Sequence, residues 1–164
     1  MSSTLHTTAL RQPTARLLAV ALISLAAVAA ALFTQHRFDM LPCPWCILQR
    51  IVFLLIAAVA LVGVLARGAA RRVASAGVML LAAGGVAAAL WQHFVAAASA
   101  SCNLTLADRI ISGAGLDSWW PEVFGVFATC ADAKVKLLGL PYEVYSGALF
   151  VLLGALTASA LRRR

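Results

Sequence analysis

The chain has 164 residues, of which 63% are hydrophobic and 12% charged, with a formal net charge of +7. A soluble globule of this composition would have scarcely enough polar side chains to cover its surface, so the composition indicates an integral membrane protein. The positive charge does not indicate nucleic acid as a partner, because most of the basic residues flank apolar runs, as topology signals do.

The first ten residues carry Ser and Thr without apolar periodicity and are expected to be disordered, within a cytoplasmic lead over residues 1–16. An apolar run opening at Leu17 gives the first span, residues 17–35, since about 20 residues cross a hydrocarbon core of roughly 30 Å. Arg11 and Arg16 ahead of it, and small residues around Val28 to Ala31, also suit a cleaved leader. The run is long for a leader, and cleavage would leave the cysteines on the same side. A loop over residues 36–46 leads to the second span, 47–66. A short loop, 67–72, precedes the third span, 73–95. A long polar loop, 96–143, precedes the fourth span, 144–161, and a tail, 162–164.

In lipid each span must be helical, because every backbone polar group needs an internal partner. Gly84, Gly85, Gly147 and Gly154 let helix backbones approach closely. The expected fold is an all-α membrane protein, a single-domain four-transmembrane-helix bundle with two periplasmic loops.

Orientation follows from charge. Arg11, Arg16, Arg67, Arg71, Arg72, Arg162, Arg163 and Arg164 flank one side without an acid. Arg37, Arg50, Arg109, Lys134 and Lys136 share the other with Asp39, Asp108, Asp117, Glu122, Asp132 and Glu143. The Lys/Arg excess puts both termini in the cytoplasm and both long loops outside, in an oxidising compartment where disulfides persist.

All four cysteines, Cys43, Cys46, Cys102 and Cys130, fall in or beside those two loops. Pro42 and Pro44 make the first pair a turn from which a helix can start. Cys46 then lies in the first turn of span two, where free amides and the helix dipole favour a thiolate. Arg50 lies four residues on, on the same helix face. The uncharged run Ile51 to Ala66 covers only about 24 Å at ~1.5 Å per residue, so completing the span draws Arg50 to the membrane boundary. An ionisable residue there is a functional candidate, the competing reading being an Arg that snorkels to the headgroups.

Covalent haem attachment needs a His after the second Cys, where the chain has Ile47. A structural zinc site usually draws on paired short spacings, and Cys102 and Cys130 are far apart. Two inert structural disulfides remain open, although a bond between Cys43 and Cys46 closes almost no loop and stabilises little. That favours redox use.

In the long loop, Gly113 and Gly115 mark flexible points. Leu116, Trp119, Trp120, Val123, Phe124 and Phe127 recur with helical period. Asp117, Ser118 and Pro121 suit a helix start, so a short helix lying in the interface is expected, with its tryptophans at headgroup level.

Several segments resemble the disulfide bond formation protein B (DsbB) family of bacterial inner membranes. They are Gln35-His36, the run Pro42-Cys43-Pro44-Trp45-Cys46-Ile47-Leu48-Gln49-Arg50, His93, Pro121-Glu122-Val123-Phe124, Thr129-Cys130-Ala131 and Leu138-Gly139-Leu140-Pro141. The resemblance implies a thiol:quinone oxidoreductase that reoxidises a soluble periplasmic thioredoxin-fold thiol oxidase (DsbA-like) and passes two electrons to the membrane quinone pool. It implies that Cys102 forms the mixed disulfide with the partner and that Cys130 is its loop mate. Cys130 would attack Cys43 and free Cys46 as a thiolate against the quinone. Arg50 matches the family's quinone-site Arg, and His93 a position near the quinone. Ubiquinone is the expected cofactor, with menaquinone equally compatible; neither metal nor haem is implied. Gln49 stands where some members carry an acid, and Trp45 where a smaller apolar residue is common. The contrasting reading is a non-enzymatic tetraspan scaffold with structural disulfides.

Overall fold

The computed structural model describes residues 3–96, 105–133, 136–137 and 139–162. Four long helices form a bundle: α1 (Ser3–Phe38), α2 (Pro44–Leu65), α3 (Gly68–Phe94) and, last in the chain, α7 (Tyr142–Arg162). All four are long and apolar enough to cross a membrane, over Pro13–Phe38, Pro44–Leu65, Gly68–Phe94 and Tyr142–Leu161. The fold is that of an all-α four-helix membrane protein.

The opening residues differ from expectation, because α1 begins at Ser3 and runs through the segment read as a disordered lead. A helix propagates with one hydrogen bond per residue once nucleated, and only Pro13 interrupts that ladder before the span begins. At the other boundaries the helices end within a few residues of the apolar runs.

Each helix turns a stripe inward. On α1 the stripe is Leu17, Val20, Ala21, Ser24 and Val28, all buried at helical spacing. It meets Phe53, Ile56 and Ala60 of α2, Val78 and Ala82 of α3, and Phe150 and Leu153 of α7. The rings of Phe53 and Phe150 stack with centroids 4.1 Å apart. Gly85 makes that possible: a Cβ there would sit 2.5 Å from the Phe150 ring, whereas Gly84 faces open space. Polar groups in the spans are satisfied locally, as where the Ser24 hydroxyl donates to the Val20 carbonyl and that of Thr157 to Leu153, each at 2.8 Å. Leu22, Val62, Leu80 and Val151 are exposed on the outer faces, as suits a lipid solvent.

The helices pack in the cycle α1, α2, α3, α7, and the seam between α7 and α1 is the loosest. At one end Arg71 donates to the carbonyls of Gly63 and Ala66, satisfying the C-terminal turn of α2, and Arg16 donates to Ser159 near the end of α7.

Over the other end lies the long loop, built from three short helices rather than one: α4 (Leu106–Gly113), α5 (Leu116–Trp119) and α6 (Pro121–Phe124). Helix α4 starts with a capping box in which Thr105 and Asp108 satisfy each other's backbone amides. Gly115 joins α4 to α5 at a φ of 65°, a left-handed geometry suited to glycine. Trp120 leaves the helical region at φ −145° and ψ 77°, because the proline that follows disfavours an α conformation. The expected start at Pro121 is present, but the apolar face is split by this break. Val123 and Phe124 turn inward onto Ile47 and Ile111, whereas Trp119 and Trp120 are 75% and 51% exposed. A two-residue antiparallel ladder, β1 (Lys136–Leu137) with β2 (Leu140–Pro141), returns the chain to α7.

Candidate functional site

Cys43 is the N-cap of α2, with Pro44 opening the helix behind it. Its sulfur accepts the backbone N–H of Cys46 at 3.3 Å. That amide of the first turn is therefore directed at Cys43. Cys43 is 0% exposed, enclosed by Trp45, Ala88, Ala96 and Ala107.

The loop reaches this pair through backbone contacts. The amides of Phe127 and Ala128 both donate to the carbonyl of Pro42, at 3.1 and 3.3 Å, one residue before Cys43. The turn that follows is held by Thr129 and Asp132, whose side chains bond at 2.6 Å. Cys130 sits on that turn and packs against the Cys43 cluster, together with Cys46. Cys43, Cys46 and Cys130 are all free thiols. Cys102 lies outside the described residues.

The two outer thiols divide a proton unequally. Cys43 donates a hydrogen bond to Cys130, which pushes the Cys43 thiol well above the ordinary cysteine range; its contact with Cys46 and its burial act in the same direction. The same hydrogen bond holds Cys130 below the ordinary range, helped by a bond from the Trp45 backbone and opposed by burial. The hydrogen bond therefore favours the proton on Cys43 and charge on Cys130.

On the bundle side of Cys46 a cavity of about 240 Å³ opens at the seam of α1 and α7. Ala27, Ala31 and Leu149 contribute apolar wall, and Cys46, Gln49, Arg50, Gln92, Glu143 and Ser146 contribute polar atoms. An apolar cleft with a few convergent polar groups is the usual form of a small-molecule site.

Arg50 is 5% exposed. It donates through Nη2 to the side-chain oxygen of Gln35 at 3.1 Å and through Nη1 to the carbonyl of Val123, while Gln35 donates to the carbonyl of Glu122 at 3.2 Å. The charge is thus fixed between α1 and α6 rather than snorkelling. Its Nε has no partner among the described residues. A buried cation with a spare donor on the wall of an apolar cleft fits a flat, oxygen-bearing, lipid-soluble molecule such as a quinone.

His93 does not line the cavity. Its Nδ1 lies 2.9 Å from Oε1 of Glu143, which does, and its side chain is 40% exposed. The residue beside it, Gln92, points inward instead, its Nε2 3.3 Å from the Cys46 sulfur. Sequence reasoning passed over Gln92 and Ser146. The available signal was the polarity of Gln49 and Gln92 inside apolar runs.

Comparison with known proteins agrees with this arrangement. The family model described as "Disulfide bond formation protein DsbB" matches residues 13–160. Disulfide bond formation protein B of Burkholderia pseudomallei (strain 1106a) is 33% identical, over 96% of this chain and 94% of its own length. Disulfide bond formation protein B 1 of Pseudomonas syringae pv. syringae (strain B728a) is 34% identical, over 96% and 95%. That of Herminiimonas arsenicoxydans is 28% identical, over 90% and 95%. A match that covers all four spans and the cysteine-bearing loop admits one conclusion: this chain belongs to the DsbB family of disulfide bond formation membrane proteins.

Proposed function

We propose that the chain is a membrane thiol:quinone oxidoreductase of the bacterial inner membrane. It reoxidises a soluble periplasmic thiol oxidase of thioredoxin fold and delivers the electrons to a quinone, sustaining disulfide formation in secreted proteins. The observation that carries this reading is the meeting of Cys130 from the long loop with Cys43 and Cys46, the last of which lines a cavity that also holds Arg50.

Exchange proceeds by attack of a thiolate on a disulfide sulfur. The partner's thiolate attacks Cys102 of a Cys102–Cys130 disulfide; a partner–Cys102 bond forms and Cys130 leaves as a thiolate. Cys130 attacks Cys43 of a Cys43–Cys46 disulfide; the Cys130–Cys43 bond forms and Cys46 leaves as a thiolate. The partner's second thiol breaks the partner–Cys102 bond, so the partner departs oxidised. Cys102 then attacks Cys130, restoring their disulfide and releasing Cys43. Two electrons and two protons have passed from the partner to the Cys43/Cys46 dithiol. When bound, a quinone supplies a two-electron, two-proton acceptor for that dithiol.

Arg50 stabilises the Cys46 thiolate and binds acceptor oxygen. His93 takes part through Glu143. Ubiquinone and menaquinone suit the apolar walls equally. Both termini lie in the cytoplasm and the cysteine loops in the periplasm, as the arginine distribution requires.

Purified protein given reduced thiol oxidase and a soluble quinone should consume the quinone, and Cys46→Ala or Cys102→Ala should abolish turnover. Full turnover in either variant would end the proposal. An impermeant maleimide applied to intact, mildly reduced cells should label the loop thiols; labelling only after lysis would reverse the orientation.

A further inference from the structure

Three side chains on three helices form a hydrogen-bond chain that ends on the Cys46 sulfur. The Ser146 hydroxyl of α7, which also lies 3.0 Å from the Glu143 carbonyl, donates to Oε1 of Gln49 on α2. Nε2 of Gln49 donates to Oε1 of Gln92 on α3 at 2.6 Å, and Nε2 of Gln92 donates to Cys46 Sγ at 3.3 Å. Gln49 and Gln92 are buried, 4% and 6% exposed. Every proton in the chain points toward sulfur.

We propose that Gln92 is the residue that binds the Cys46 thiolate, and that Gln49 and Ser146 are positioning residues that fix the polarity of its amide. The proposal rests on the reading of Cys46 as the cavity-side thiolate. A primary amide offers two donors on nitrogen and only acceptors on oxygen, so which end meets the sulfur decides which form of the sulfur is favoured. Here the oxygen of Gln92 is occupied by Gln49, whose own oxygen is occupied by Ser146, and the donor end is left for sulfur. Linked amides in a low-dielectric interior polarise one another, strengthening the last bond. The reversed chain would present oxygen to Cys46, which only a protonated thiol can meet.

The other titratable or charged groups around Cys46 are Arg50 on its own helix, Cys43 at the N-cap, Cys130 on the loop turn, and Tyr142, Glu143 and Tyr145 across the cavity. Glu143 is engaged by His93, 2.9 Å away. The amide chain is neutral. It stabilises the sulfur anion without a second cation, so the field of Arg50 is left undivided between the thiolate and whatever occupies the cavity.

The test is the pH profile of Cys46 alkylation by iodoacetamide, read by peptide mass spectrometry on reduced full-length protein carrying Cys43→Ala, so that Cys46 stays unpaired. Gln92→Leu should move the midpoint about one unit to higher pH, about a tenfold loss of reactive thiolate near neutrality, as expected for loss of a hydrogen bond to a charged group. Gln92→Glu, which keeps the shape but replaces the donor by an acceptor, should move it at least as far. Gln49→Leu and Ser146→Ala should move it in the same direction by less. If Gln92→Leu fails to fold, Gln92→Glu decides the matter. A midpoint unchanged in either Gln92 variant would overturn the proposal, and if quinone reduction persisted in that protein it would leave the oxidoreductase reading standing. A shifted midpoint in protein that never reduces quinone would keep the amide chain and remove that reading.

Discussion

Arg50 of α2 donates across 3.1 Å to the side chain of Gln35 on α1, and Gln35 donates onward to the carbonyl of Glu122 at the start of α6. One guanidinium thus ties two membrane spans to the loop that covers them. A lysine cannot reproduce this, because its ammonium is a single point charge without the planar fork. Arg50→Lys should raise the quinone KM roughly tenfold, the equivalent of about 1.4 kcal/mol, with the KM for the thiol oxidase unchanged. Arg50→Ala should do so more strongly and also lower thermal stability, since two buried acceptors are left unpaired at about 1–3 kcal/mol each. Steady-state kinetics with each substrate varied in turn decides this; a change confined to the thiol oxidase would contradict the placement of Arg50 on the cavity.

The unequal sharing of a proton between Cys43 and Cys130 predicts different titrations. Cys130, held below the ordinary range by its hydrogen bond from Cys43, keeps its reactivity to lower pH than an ordinary cysteine and loses it as pH falls through that lowered range. Cys43 is pushed upward and is also fully enclosed, so protonation and burial together keep it from a dissolved reagent. Alkylation in a reduced Cys102→Ala background should therefore label Cys130 first. Cys43→Ala removes the donor and should return Cys130 toward the ordinary range, moving its alkylation midpoint to higher pH. A Cys130 midpoint unmoved by Cys43→Ala would contradict the assignment.

Gly84 and Gly85 are adjacent and should behave in opposite ways. A methyl group at Gly85 meets the Phe150 ring at 2.5 Å, whereas nothing lies within 4 Å at Gly84. Gly85→Ala should cost about 1–3 kcal/mol through overpacking. Gly84→Ala should be neutral or slightly stabilising, because alanine is the better helix former. Thermal unfolding in detergent separates the two, and equal effects would contradict the α3–α7 packing.

Helix α4 has only eight residues, and its capping box accounts for its start. Thr105→Ala should cost about 1 kcal/mol and speed amide exchange across α4 roughly fivefold. Exchange confined to its native rate would show that burial of Ala107 and Ile111 suffices to hold the helix.

The bundle was readable from the sequence because uninterrupted apolar runs leave a membrane span no other regular structure; the break at Trp120 was not, because the helical period across residues 116–127 ran over the restraint that Pro121 places on the residue before it. The start of α1 was not, since Ser and Thr ahead of a span carry no periodicity even when helix propagation recruits them. Thr105 and Asp108 signalled α4, but a helix of that length has too few turns to show a stripe. At the site, the position of Arg50 followed from its spacing to Cys46. The pairing of Gln49 with Gln92 did not, because no spacing rule joins residues on separate helices. The resemblance drew attention to His93, yet one step along a helix turns a side chain by about 100°, and it is Gln92 that faces Cys46.

The complete enclosure of Cys43 has a further consequence. A small thiol in solution can touch the outer turn but cannot collide with this sulfur, so on the proposed reading electrons enter Cys43 only through the loop cysteine packed on it.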